Sequence, residues 1–297
     1  MNPNPVLKRL GFEDNDRLVI LHADDVGMCQ ASLTAFANLV DFGLVSSGAV
    51  MVPCPWFPAV AAYCREHPGV DLGVHLTLTS EWDAYRWGPI STRDPASGLM
   101  DEEGCFYRSS EAVQESGDPA AVQVEMEAQV ARGLAAGIDV SHVDTHMGTV
   151  AHPKFMAGYV QLALQHRLPA MVPRLDEAGW REMGMEGEMV ALAAQFVAQL
   201  EAQGMPMLDH LAGMPLEVEP GDRLAAAKRE LGLLPPGLTH FIIHPAADTP
   251  ELRAITPRWR SRLADYETFC SEELKAWIRD EGLHVVGYRA LRALLRQ

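Results

Sequence analysis

The chain has 297 residues, 48% hydrophobic and 22% charged, with 24 Lys and Arg against 40 Asp and Glu for a formal charge of −16. That length suffices for one large domain or two modest ones, and the composition excludes collagen, coiled coil and wholesale disorder. An acidic balance with no basic cluster to offset it repels phosphate backbones and argues against nucleic acid as a partner.

Apolar runs such as 18–21 and 241–243 fall far short of the ~20 residues needed to span a membrane, and residues 1–9 carry no secretory apolar stretch. The five cysteines, Cys29, Cys54, Cys64, Cys105 and Cys270, are odd in number, widely spaced and form no CxxC pair. Neither a disulfide framework nor a cysteine zinc site is expected, so the chain reads as reduced and cytoplasmic.

Strand-like apolar runs alternate with helical patterns along the sequence. A buried strand is predicted at 17–22, then a helix at 31–42 that Gly43 closes. A β-rich run follows at 45–52, a helix ending at Glu66, and a strand at 70–78. A helix at 119–136, a strand at 138–146, a helix at 153–165 and a short strand at 170–172 come next. Helices near 186–202 and 222–231 flank a small strand at 207–210. A late strand at 238–244, a helix at 271–280, a strand at 283–286 and a helix at 289–295 complete the pattern. This alternation predicts an α/β fold of parallel strands wrapped by helices, in sheet or barrel form. No linker or repeat divides it, so one domain over residues 1–297 is expected. Stretches 80–117 and 246–266 break the rhythm; their length and aromatic content suggest ordered, ligand-facing loops.

Polar residues collect where the predicted strands end. The first strand runs from LVIL into His22-Ala23-Asp24-Asp25-Val26-Gly27. Adjacent carboxylates after a buried strand repel each other unless a cation or proton resolves the conflict; an Asx turn capping the next helix is the plainer alternative. The third strand ends Gly73-Val74-His75-Leu76-Thr77-Leu78-Thr79, and alternation puts His75, Thr77 and Thr79 on one face. In Ser141-His142-Val143-Asp144-Thr145-His146 the residues His142, Asp144 and His146 share one face within about 14 Å, with Asp144 placed to orient a histidine through its other nitrogen. The late strand ends at His244-Pro245.

Active sites of barrel and open α/β folds form where strand C-termini converge. One Asp and two His make a sensible divalent-metal set. A second carboxylate beside them can deprotonate a water, and a histidine across the site can protonate a leaving amine. Arg174 is expected either to place a positive charge in the mouth of the site, orienting Asp24 or a substrate oxygen, or to form a surface salt bridge. Trp82, Tyr85 and Trp87 could stack on a ligand or simply pack their loop.

In order and spacing, these motifs resemble those of the YdjC-like carbohydrate deacetylases, a family that includes deacetylases of chitooligosaccharides and of hopanoid-linked N-acetylglucosamine. The resemblance runs from about Leu18 to Pro245. It implies a distorted, TIM-like (β/α) barrel related to polysaccharide deacetylases and a divalent metal ion such as Mg or Zn; family members often form dimers, which makes a homodimer one option. Carried over by position, Asp25, His75 and His146 are the implied metal ligands, Asp24 the implied general base and His244 the residue near the leaving amine. Val26 departs from the aromatic or larger apolar residue common after the two aspartates. The expected function is removal of the acetyl group from an N-acetylated amino sugar or short oligosaccharide. Its rivals are another metal hydrolase, such as a phosphoesterase, and a non-catalytic metal- or carbohydrate-binding protein.

Overall fold

The computed structural model describes residues 3–182, 186–216 and 221–297. Seven strands among these, β1 (Arg17–Val26), β2 (Ser47–Val50), β3 (Leu72–Leu76), β4 (Val143–Thr145), β5 (His210–Gly213), β6 (Gly237–Ile243) and β7 (Leu283–Val285), run in the order β4-β3-β2-β1-β6-β5. Every pairing is parallel, and one edge of β1 is shared between β7 at its start and β2 at its end. Parallel bridges from Val143 to Ala170 and from Pro173 to Leu208 carry the ring from β4 round to the start of β5. The result is an α/β barrel, distorted because that closing segment pairs only at single residues.

Strand periodicity explains the layering. In β1, Val19, Leu21 and Ala23 face outward into the main helix-covered core. Leu18 and Ile20 face inward and pack with Val6, Leu7, Leu208, Leu238, Tyr288, Leu291 and Leu294. This second cluster plugs the end of the barrel where the strands begin. Each such fully buried aliphatic side chain contributes about 1.5–3 kcal/mol, which offsets a polar upper interior starting at His22.

Most predicted helices are present, including Gln30–Phe42, Phe57–Glu66, Pro119–Ala135 and Pro153–His166. The stretch 246–266 is not the long loop that its composition suggests. It forms helices Pro250–Ile255 and Trp259–Phe269. The first has a Thr249 cap accepting from Leu252 N and Pro250 in its first turn, both ordinary start signals. The second escapes a periodicity reading because the face it buries is polar: Ser261, Arg262, Asp265 and Thr268. The strand expected at 207–210 is displaced to 210–213, and β4 covers only residues 143–145, near the end of the run expected at 138–146.

Candidate active site

Alternation would send neighbouring side chains of a strand to opposite faces, yet Asp24 and Asp25 both line one cavity. The pairing of β1 with β2 slips between Ala23 and Val26, and Asp25 adopts a left-handed φ of 60°. Asp tolerates that conformation better than most residues. The kink turns a second carboxylate inward beside the first.

Asp25 Oδ1 lies 3.5 Å from His75 Nε2 and 3.1 Å from His146 Nδ1, and those two nitrogens are 3.3 Å apart. Each group is held from behind. His75 Nδ1 meets Asp144 Oδ1 at 2.9 Å, His146 Nε2 meets Glu81 Oε1 at 3.0 Å, and Arg262 Nη2 donates to Asp25 Oδ2 at 2.8 Å. A carboxylate behind an imidazole keeps the proton on that side and frees the other nitrogen as a ligand. Three electron-rich atoms thus converge in a buried place, and Asp25 Oδ1 has no hydrogen-bond partner. Such convergence is costly without a positive charge at the centre. The N,N,O donor set fits a divalent cation, and the three residues can present ligand atoms within 4.8 Å of one another.

The electrostatics agree. Burial opposes charge on His146, but Glu81 and Asp25 outweigh it and raise its pKa to about 9. His75 is likewise driven well above the usual imidazole range, against burial, by Asp144 and Asp24. Asp25 is held well below the ordinary carboxylate range, again against burial, by Arg262 and His146.

Asp24 stands beside this triangle. Its Oδ1 meets His22 Nδ1 at 2.7 Å, while Oδ2 lies 3.9 Å from both His75 Nε2 and His244 Nε2. Burial favours the neutral acid, but His75, His22 and His244 prevail and lower its pKa. The His244 backbone N–H donates to Asp265 Oδ2 at 3.0 Å, and Arg223 Nε donates to Asp265 Oδ1 at 2.7 Å. Burial lowers the His244 pKa. The cavity has a volume of about 430 Å³; Trp82, Met147, Met171, Leu216 and Ile242 give it apolar walls, and Glu81, Thr256, Arg258 and Arg262 add polar ones.

Asp24, Asp25, His75, His146, His244 and Trp82 therefore share one cavity. Asp144 stands behind His75, and His142 lies deeper, against His22. Arg174, Thr77, Tyr85 and Trp87 do not line that cavity. Arg174 sits where β5 and β6 begin, bonded to Glu201 at 2.6 Å and near Asp209 at 3.4 Å, in a hollow it shares with Asn4 and Gly237. Its segment pairs at Pro173 with Leu208, ahead of β5, which carries it away from the strand C-termini. Thr77 follows the end of β3, where alternation stops, and its hydroxyl donates to His75 O at 2.7 Å rather than facing the cavity. Trp87 Nε1 donates to Thr79 O and Tyr85 Oη to Met28 O, so these two aromatics pack the loop. The sequence reading assigned no role to Glu81, Arg262 or His22. His22 opens the first motif and Glu81 stands two positions after Thr79, whereas Arg262 falls in the stretch expected to be a loop.

A parallel α/β barrel with a carboxylate–imidazole cluster at one rim is the class that fold and site define. Within that class, the chain belongs to the YdjC-like protein family, whose model matches residues 18–280. It is 33% identical over 290 residues to a carbohydrate deacetylase of Thermus thermophilus, covering 98% of this chain and 99% of that protein. A carbohydrate deacetylase of Brevibacillus brevis is 25% identical over 273 residues, covering 92% and 99%. Among solved structures, a protein of Enterococcus faecalis V583, provisionally assigned to cellobiose-phosphate cleavage, superposes with a TM-score of 0.74 at 21% identity, covering 93% of this chain and 99% of that one. It supports the fold.

Proposed function

We propose that this protein is a metal-dependent carbohydrate N-deacetylase that hydrolyses the acetamide of an N-acetylated amino sugar or short oligosaccharide and releases acetate. One observation carries the metal part: Asp25 Oδ1, His75 Nε2 and His146 Nδ1 face one another at 3.1–3.5 Å, with carboxylates behind both imidazoles. The relatives named carbohydrate deacetylase support the substrate class.

In this reading Asp25, His75 and His146 hold a divalent ion, magnesium or zinc. When bound, such an ion supplies Lewis acidity, polarising a carbonyl oxygen and acidifying water. Asp24 does the proton chemistry. Its Oδ2 faces the cavity and accepts a proton as water oxygen bonds to the acetyl carbon. His22 fixes the orientation of that carboxylate through Oδ1. The proton that Asp24 has taken passes through His244, whose Nε2 lies 3.9 Å from Asp24 Oδ2, to the amine nitrogen as the C–N bond breaks. Trp82 offers the sugar ring an apolar face.

No helix among the described residues is long and apolar enough to cross a membrane, and the five cysteines are free; a cytoplasmic site of action is part of the same proposal. The test incubates the protein, loaded with Mg or Zn, with N-acetylglucosamine oligomers and, separately, with a panel of phosphomonoesters. Acetate appearing with an equal amount of free amine is the expected result. Phosphate without acetate would overturn the proposal.

A further inference from the structure

One strained residue at the cavity wall has no part in the chemistry just described. Directly after His146 the backbone turns left-handed twice, at Met147 (φ 53°) and at Gly148 (φ 67°). Gly148 adopts such a φ freely, and a Cβ built on it would meet nothing within 4 Å. Met147 is strained there, because its Cβ crowds the following carbonyl oxygen. The segment is pinned as it stands. Ser110 Oγ donates to Met147 O at 3.1 Å, Thr149 Oγ1 donates to His146 O at 3.2 Å, and Val150 N–H donates to Thr145 Oγ1 at 3.2 Å.

Burial does not account for the methionine. Of the five apolar residues that wall the cavity, Trp82, Met171, Leu216 and Ile242 are partly buried, while Met147 is 60% exposed. A lone exposed methionine is ordinary. One set on a backbone that glycine or asparagine tolerates better, beside a cavity, is a pointer to function.

We infer that Met147 is a specificity-determining residue: it packs on the apolar face of the sugar unit next to the one deacetylated, and so favours short oligosaccharides over the single N-acetylated sugar. The reaction in this inference rests on the deacetylase reading; the sugar contact does not.

The placement follows from the neighbours. In that reading the reacting acetamide lies against Asp25, His75 and His146, and its own ring against Trp82. Met147 is joined to His146 but stands in solvent, on the side where a chain of sugars leaves the cavity. The open space at Gly148 leaves room for a second ring beside it. Sugar rings carry C–H groups on their faces, which pack on apolar side chains while the hydroxyls at the edges stay in water. An unbranched, polarisable thioether adapts to such a face without imposing one geometry, which suits a unit whose bonds do not react.

Met147→Gly tests this through two effects of opposite sign. It relieves the left-handed strain, so the variant should melt at or above the wild-type temperature. It also removes the apolar contact, which is read by comparing acetate release from N-acetylglucosamine and from its trimer with Mg- or Zn-loaded protein. The wild type should favour the trimer in kcat/KM by at least about fivefold, and Met147→Gly should lower that ratio roughly three- to tenfold. The change should lie mostly in KM for the trimer, as for a contact made equally in ground and transition states. Met147→Leu restores an apolar side chain on the same strained backbone and should hold the ratio within about twofold. Binding is read apart from turnover by calorimetric titration of the trimer into Asp24→Asn protein, where adding Met147→Gly should weaken it by the same factor.

A wild type with no preference for the trimer, a ratio that Met147→Gly leaves unchanged, or one that Met147→Leu lowers as far as glycine does would overturn the inference. So would a lower melting temperature for Met147→Gly, since the side chain would then serve the fold. Protein that binds the trimer through Met147 yet releases no acetate would keep the contact and remove the deacetylase reading instead.

Discussion

Replacing Glu81 by alanine removes the carboxylate 3.0 Å from His146 Nε2 and sets two effects against each other. With its pKa raised to about 9, His146 holds a proton at neutral pH that a cation must displace. At about 1.4 kcal/mol per pH unit this costs roughly 3 kcal/mol at pH 7. Losing the carboxylate relaxes that competition, although Asp25 still faces Nδ1 and keeps part of it. The same loss weakens and disorients the ligand, an effect of about 10–100-fold, or roughly 1.4–2.7 kcal/mol. The two terms nearly offset at pH 7, so Glu81→Ala binds metal only a few-fold more weakly there. Near pH 9.5 proton competition has gone, and the deficit widens to the full one or two orders of magnitude. Calorimetric titration with Mg, or with Zn in a chelating buffer, measures both values. Equal deficits at the two pH values would refute the opposition of proton and metal at His146.

Three further outcomes follow from the same geometry. Asp25→Asn keeps a side chain that accepts the left-handed backbone but leaves Arg262, 3% exposed, without its carboxylate. It should lose metal binding and about 3–5 kcal/mol of stability, read as a lower urea midpoint for the metal-free protein; an unchanged midpoint would mean that the pair is not desolvated. Asp24→Asn should cut acetate release by at least about 100-fold while metal affinity stays the same, and unaltered turnover would remove Asp24 from the reaction. Gly73→Ala sets a methyl group 2.5 Å from the His142 ring; it should cost about 1–3 kcal/mol in thermal or urea unfolding, and no change would mean that the ring moves freely.

Some of this arrangement was legible in the sequence and some was not. Runs such as Leu18–Leu21 declare themselves as strands because both faces are buried, and His75, Asp144 and His146 fall on inward positions by simple alternation. Asp25 cannot be placed inward that way, since a kink between Ala23 and Val26 breaks the alternation that the argument uses. Arg262 lies on a helix whose buried face is polar, so hydrophobic periodicity passes over it, and no local pattern links it to Asp25 across 237 positions. For Arg174 the sequence left the cavity mouth and a salt bridge both open, and the salt bridge is formed because its segment pairs at the opposite end. Loop aromatics were only partly separable: Trp82 lines the cavity, while Tyr85 and Trp87 spend their polar atoms on nearby carbonyls.

The central position of β1 has a consequence for biosynthesis. It leaves the ribosome long before its partners at 237–243 and 283–285 are translated. Until they emerge, part of its backbone stays open to stray pairing, and non-local closure of this kind is slow. A chain translated only as far as His146 contains Asp25, His75 and His146 but not Arg262, so assembly of the site waits for the helix that carries Arg262.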